Sequence, residues 1–416
     1  MIRDTGISDR ELEAALLKVL EGRRLSKVLL IPPDATRLHS RAGQITKIYF
    51  EYLTAQGCRV DVLPALGTHE AMSRRECESF LGVPYESLIA HNWRDDVVRI
   101  GEIPAEVITE LSDGLMTEPM AVEVNRLLLD PSYDLIVSAG QVVPHEVAGM
   151  ANYSKNIFVG CGGSQMINSL HMLGAFYGIE RTLGRTDTPV RRVFDYAEER
   201  FITKMPLVYA LTVTTQDQGE TVLNGLFIGR GRELFAEASR LSREKNLTMV
   251  DRPLKKCVVY LDEEEFKSTW LGNKAIYRTR LAMADNGELM IIGPGVKRFG
   301  EDGAVDALIR KYGYVGRQAL LEHVRANEDM RQNLAAAAHL IQGSPEGRFT
   351  VTYAVEQLTR EEVEGVHFRY MPLSEALRLY DPAKLRDGWN TVNGEDVFYI
   401  SNPALGLWAD QARFAE

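Results

Sequence analysis

Cysteine is scarce in this chain: Cys58, Cys77, Cys161 and Cys257 are scattered over 416 positions with no C-x-x-C pair among them. That spacing excludes a disulfide framework and a cysteine-based structural zinc, and it fits thiols kept reduced. Long apolar runs are missing too, and none approaches the roughly 18 residues that a bilayer span needs. The opening stretch, MIRDTGISDRELEAALLKVL, is charged and patterned like a helix rather than a signal peptide. Basic residues are outnumbered, 48 Lys and Arg against 58 Asp and Glu, for a formal net charge of −10. Nucleic acid needs a concentrated basic surface, so that class of partner is excluded, whereas an anionic small molecule needs only a local cation or two. No internal repeat or low-complexity segment is present. The expectation is a soluble cytoplasmic protein with neither membrane nor nucleic-acid partner.

What the chain does have is the composition of a globular protein, 45% hydrophobic and 25% charged, at a length that calls for two domains. Ser8 and Glu11 form a capping box at the head of a helical stripe over residues 8 to 20. Short apolar runs at Val28 to Ile31, Val60 to Leu63, Leu135 to Val137 and Pro206 to Val213 alternate with helical patterns, the rhythm of a parallel sheet. Residues 95 to 108 read as an extended excursion from it, and 221 to 244 as a glycine turn leading into an amphipathic helix over Glu233 to Leu241. A second set of strands is expected at Cys257 to Tyr260, Glu288 to Ile292, Phe349 to Tyr353 and Val397 to Ile400, with a mostly helical stretch over 304 to 342. The fold class is therefore α/β with two domains: a Rossmann-like parallel-sheet domain over 1–248 and a mixed α/β domain over 249–402, with the site expected in the cleft between them.

Ligands of open α/β sheets bind beyond the carboxyl ends of the strands. There the sequence places three groups of interest. Asp34-Ala35-Thr36-Arg37 follows the first strand, where Arg37 suits a bidentate grip on a carboxylate, although a capping aspartate and a solvated arginine would read the same way. Gly67-Thr68-His69 follows the second. After Leu135 to Val137 come His145, Lys155 and His171, spaced by ten and sixteen residues. Imidazole titrates near neutral pH and serves as base or metal ligand, and a desolvated lysine amine is a nucleophile. Each of these also has an ordinary structural reading. Gly160-Cys161-Gly162-Gly163 lacks the G-x-G-x-x-G spacing, though its N–H groups suit a phosphate at a helix start. Asp262 to Glu265 reads as an acidic, solvated helix start, and His39, His91, His323, His339 and His367 as structural.

Pro144-His145, Ala148-Gly149, Lys155 and His171, with Asp34 to Arg37 and Gly67 to His69, resemble the signature of the lactate racemases that use a nickel-pincer nucleotide. Met150 stands where the family has phenylalanine, and Asn152-Tyr153-Ser154 replaces a Gly-Gly-Arg run before the lysine. The resemblance implies a racemase or epimerase inverting C2 of a 2-hydroxy acid, with His69 and His145 as two bases on opposite faces of the substrate. It implies covalent attachment of the nucleotide through Lys155, nickel ligation by His171, and cofactor contacts from Asp34 and Thr36. Arg37 and Lys274 would bind the substrate. Cofactor-producing enzymes become partners, and the 403–416 tail would fold back onto the first domain. The stretch from Asn152 to His171 resembles sugar-acid members most, which points to an aldonate such as gluconate or mannonate, with malate and aryl-lactates as alternatives. Two readings compete. A nicotinamide-dependent oxidoreductase predicts a full glycine fingerprint, which is not found; a non-catalytic nickel-binding protein predicts a metal site built from protein ligands alone.

Overall fold

The computed structural model describes residues 1–217, 219–404 and 406–415. They form two compact units, Met1–Leu173 with Leu183–Asn246, and Gly174–Thr182 with Leu247–Glu416.

The first unit is built on a five-stranded sheet. Its order is Arg59–Val62, Lys27–Ile31, Leu135–Gln141, Leu207–Asp217 and Glu220–Gly229. The first four run parallel and the last is antiparallel. Side chains alternate across the sheet. Leu29, Ile31 and Ile136 enter one buried cluster, while Val28, Leu30, Leu135 and Val137 enter another on the opposite face. Both faces are thus covered, as parallel strands require. The strand Glu220–Gly229 falls where a turn was expected; its alternation is weak because Leu223 to Phe227 is buried almost without interruption. The excursion proves to be an antiparallel pair, Val97–Ile103 with Met120–Asn125, joined through the helix Ala105–Leu111. Ser8 and Glu11 make the expected capping box.

The strand order carries the functional point. From Lys27–Ile31 the chain steps to one side, to Arg59–Val62, and later returns on the other side as Leu135–Gln141. The gap between Lys27–Ile31 and Leu135–Gln141 is a topological switch point, where loops leave in opposite directions and open a crevice.

The second unit has a six-stranded sheet in the order Arg369–Pro372, Phe349–Val355, Met283–Ile292, Leu254–Tyr260, Glu395–Ile400 and Gly388–Val392, parallel but for its last pair. Residues 304 to 342 are mostly helical as expected, in the helices Gly303–Tyr312, Arg317–Ala326, Glu328–Arg331 and Leu334–Gln342. Asp262 starts no helix; its carboxylate accepts from the N–H groups of Glu264 and Glu265 in a turn. The division of the chain falls between Asn246 and Leu247 rather than after 248, and the second unit also takes Gly174–Thr182. The tail strand Leu407–Asp410, expected against the first domain, pairs in parallel with Leu247–Val250 of the second unit. No helix among the described residues is long and apolar enough to cross a membrane.

Candidate active site

Three loops at the carboxyl ends of neighbouring strands converge in the first unit. After Lys27–Ile31, Asp34 caps a short 3-10 helix over Ala35–Ser40 and accepts from the Thr36 backbone N–H at 3.0 Å and its hydroxyl at 2.5 Å. After Arg59–Val62, Gly67 turns with φ +58° and donates its N–H to the Gly160 carbonyl at 2.8 Å, which delivers His69 to the same place. His69 Nδ1 pairs directly with the Asp34 carboxylate. Burial would raise the Asp34 pKa, but the charge of His69, its hydrogen bond and that of Thr36 outweigh it and hold the carboxyl well below the usual range. An ionised Asp34 fixes the proton of His69 on Nδ1, so the basic lone pair lies at Nε2.

The third loop follows Leu135–Gln141. Pro144–His145 pairs with Gly149–Met150 in a minimal hairpin, and His145 is buried inside it. Its Nδ1 accepts from the backbone N–H of Val147 at 3.1 Å and of Ala148 at 3.4 Å. A ring whose Nδ1 accepts carries its proton on Nε2. That Nε2 lies 3.8 Å from Glu146 Oε1. The two histidines expected to share one task therefore stand in opposite tautomeric settings, one set by a carboxylate and the other by backbone amides.

Lys155 opens a π-helical turn, Asn156–Gly160, and His171 lies on the following helix, Ser164–Tyr177. Both keep some accessible surface while Ser154, Asn156, Leu170 and Met172 beside them are buried. Burial pushes the Lys155 amine down to about 8, helped by Arg37 and Arg191 and opposed by Glu146 and Asp34. Burial also lowers the His171 pKa, and the charges of Lys155, Glu146 and His69 reach it. His171 Nδ1 donates to the Ile167 carbonyl at 2.6 Å, which leaves the lone pair on Nε2, the arrangement of a metal-ligating imidazole.

The structure thus brings together Asp34, Thr36, Arg37, His69, Lys155 and His171 through shared hydrogen bonds and fields, with His145 and Glu146 beside them. Lys274 belongs to the second unit, where its ammonium stands 5.4 Å over the Phe266 ring. Two residues escaped the sequence reading. Glu146 had a signal in its position next to His145; Arg191, on the helix Pro189–Phe201, had none. The Gly160 to Gly163 run is explained by packing: a Cβ on Gly160 would lie 2.6 Å from that of Ala65, and one on Gly163 would lie 2.1 Å from Glu123 Oε2. Among the described residues no group of three or more His, Cys, Asp or Glu side chains could hold a metal ion by itself.

Two imidazoles, an amine and a carboxylate are thus charge-coupled at a switch point, the position at which open α/β sheets commonly place their ligand sites. Residues 13–182 match the family model described as the lactate racemase N-terminal domain. The whole chain is similar in structure to a Thermotoga maritima protein solved by structural genomics, with TM-score 0.85 and 25% identity, over 98% of this chain and 99% of that one. It shares its fold with the lactate racemase apoprotein of Thermoanaerobacterium thermosaccharolyticum, with TM-score 0.67 and 17% identity, over 97% and 93% of the two chains. No curated protein matches the chain in sequence.

Proposed function

We propose that the protein is a racemase or epimerase that inverts C2 of a 2-hydroxy acid, with a nickel-pincer nucleotide attached at Lys155 and its nickel held by His171. The observation that carries the reading is the pairing of unlike chemistry in one cluster: an amine made nucleophilic by burial beside an imidazole whose Nε2 is set for a metal. The donor set fits the group, because a soft sulfur-and-carbon pincer needs only one further nitrogen, and His171 offers one. Bound there, the nucleotide supplies the acceptor and donor of the C2 hydride.

The chain's own residues then have the proton to move and the substrate to hold. His69, with Asp34 fixing its Nδ1 proton, takes the hydroxyl proton at Nε2 as C2 is oxidised, a step in which imidazole is matched to neutral pH. His145 presents Nε2–H to the same oxygen. Arg37 is assigned the substrate carboxylate, a role supported by the reach of its charge to Lys155 and Asp34. Thr36 holds Asp34 in place. Lys274 would add a second substrate contact, and the motif Asn152 to His171 favours an aldonate of the gluconate–mannonate type as substrate. The partners of such an enzyme are the proteins that make its nucleotide. A nickel protein without turnover is the weaker reading, since no protein-only metal cluster exists among the described residues.

The test is the intact mass and nickel content of the protein produced with and without the cofactor-producing enzymes. Wild type should gain the nucleotide mass on Lys155 and about one nickel. Lys155→Ala should gain neither covalently, and His171→Ala should keep the mass and lose nickel. Nickel retained by wild type with no added mass would sink the reading.

A further inference from the structure

The turn that presents Lys155 begins with backbone that needs outside support. Asn152 and Tyr153 both lie in the left-handed region, at φ 65° and 58°. Asparagine visits that region readily; a bulky aromatic does so at a cost of about 1 kcal/mol or more. Asn152 helps by accepting from the Tyr153 N–H at 2.7 Å. The larger support comes from Arg191, which is fully buried. Its Nη1 donates to Ser154 Oγ at 3.0 Å and its Nη2 to the Met150 carbonyl at 2.7 Å. These acceptors bracket the strained pair, so one planar fork ties both ends of the turn. The guanidinium also lies 4.3 Å from the centre of the Phe235 ring, and Tyr153 stacks on the same ring at 5.1 Å and 18°. Backbone and side chain of Tyr153 are therefore held by one construction.

We propose that Arg191 is a positioning residue for Lys155, locking the Met150 to Ser154 turn so that the amine stays sheltered as the nucleophile that takes up the cofactor. This rests on the reading of Lys155 as the covalent anchor. A neutral side chain could make either hydrogen bond at lower desolvation cost, so the choice of a buried guanidinium calls for a reason. A fixed positive charge near the amine supplies one: it opposes the ammonium form in the same direction as burial does. The groups whose charge bears on the amine are Arg37 and Arg191 against Glu146 and Asp34, with His171 also in its field.

The experiment needs no cofactor. Apo full-length protein is trace-labelled with acetic anhydride from about pH 6 to about pH 11, bracketing the ordinary lysine range, and acetylation of Lys155 is followed by peptide mass spectrometry. In the labelling step the neutral amine attacks one carbonyl carbon, acetate departs with the broken C–O bond, and the amine proton passes to water. Wild type should show a midpoint near the value of about 8 that burial imposes. Arg191→Met should move it upward by about one unit, Arg191→Lys by less, and Ser154→Ala slightly in the same direction. A folded Arg191→Met protein with the wild-type midpoint overturns the proposal. Should that variant not fold, an unmoved midpoint in Ser154→Ala overturns it instead. A wild-type midpoint at the ordinary lysine value would remove the anchor reading itself, an outcome distinct from variants that fail to shift a lowered one.

Discussion

His171 in the first unit and His339 in the second both sit on helices, and both rings are engaged at Nδ1. At His339 the engagement is total: Nδ1 meets the Tyr277 hydroxyl at 2.9 Å, Nε2 meets the Tyr314 hydroxyl at 2.9 Å, and the ring stacks on Trp270 at 4.2 Å. Tyr314 bonds in turn to Thr269 at 3.1 Å, and Asn273 accepts from Tyr353 at 2.7 Å. At His171, among the described residues, the hydrogen bonding stops at the Ile167 carbonyl, and the charges that bear on the ring are those of Lys155, Glu146 and His69. Fixed neutral dipoles that satisfy both nitrogens make a histidine part of the scaffold. One satisfied nitrogen, with ionisable neighbours around the ring, makes it available to a ligand. A place on a helix does not by itself separate the two residues; the second nitrogen does.

The comparison breaks most sharply at the pair proposed to handle the proton. His69→Ala is expected to lower the epimerisation rate by about 10²–10⁴, the worth of a positioned general base. Asp34→Asn should fall in the same range because it no longer selects the His69 tautomer. Glutamine separates the two histidines. His145→Gln retains an N–H near the place of Nε2–H and should keep more activity than His145→Ala, whereas His69→Gln should be no better than His69→Ala. Rates with each pure epimer check this. Equal rescue at both positions would mean that the tautomers assigned from Asp34 and from the Val147 and Ala148 amides do not govern the reaction.

The next effect is on stability and falls on the other side of the comparison. His339→Ala empties a stacked site and takes a hydrogen-bond partner from the Tyr277 and Tyr314 hydroxyls, at an expected cost of about 2–4 kcal/mol in unfolding free energy. The midpoint of Lys155 labelling should stay put, since the two residues belong to different units. A loss of stability below about 1 kcal/mol would show that the network is dispensable, and the distinction between saturated and half-saturated rings would lose its physical basis.

Much of this was legible beforehand, and the reason differs by region. Strands such as Leu135–Gln141 announce themselves at Leu135 to Val137 because a parallel sheet buried on both faces favours consecutive apolar residues; Ser138 to Gln141, equally buried, carries no such signal. Motif spacing singled out Asp34, His69 and His145, which lie on loops after such strands, and Lys155 and His171, which lie further on, at a π-helical turn and on the helix after it. The antiparallel pair Val97–Ile103 and Met120–Asn125 was not, because its first strand is half-exposed and contains Arg99, Gly101 and Glu102. The tail strand Leu407–Asp410 was misplaced for another reason: pairing partner is a long-range property that four residues cannot encode. Arg191 left no trace, because what identifies it is a fork reaching back 37 and 41 residues to Ser154 and Met150.

The smallest expected effect sharpens the comparison inside the first unit, at His91. This buried ring is saturated like His339: Nδ1 accepts from Asn125 at 3.0 Å and Nε2 donates to the Gly162 carbonyl at 3.1 Å. A second proton would have to enter at Nδ1, against the Asn125 amide. Burial accordingly lowers the His91 pKa, although the Gly162 carbonyl and Asp96 work the other way. A lowered histidine binds fewer protons folded than unfolded. As pH falls through the unfolded value of about 6.5, the unfolded chain takes up protons first and stability declines, with no further loss once pH is below the folded value. Above about pH 7 the residue contributes no slope. Asp34, being depressed, adds none in this window, since its stabilisation is lost only in and below the ordinary carboxylate range. Urea midpoints of the apo protein should therefore drop between about pH 7 and about pH 5, by no more than about 1.4 kcal/mol per pH unit for this group. His91→Gln should be less stable at neutral pH but flatter across the window, because glutamine cannot titrate while its amide can still donate to Gly162. An unchanged slope in that variant would show that a saturated ring in this unit carries no proton linkage, and that full engagement at both nitrogens is not what keeps a histidine neutral here.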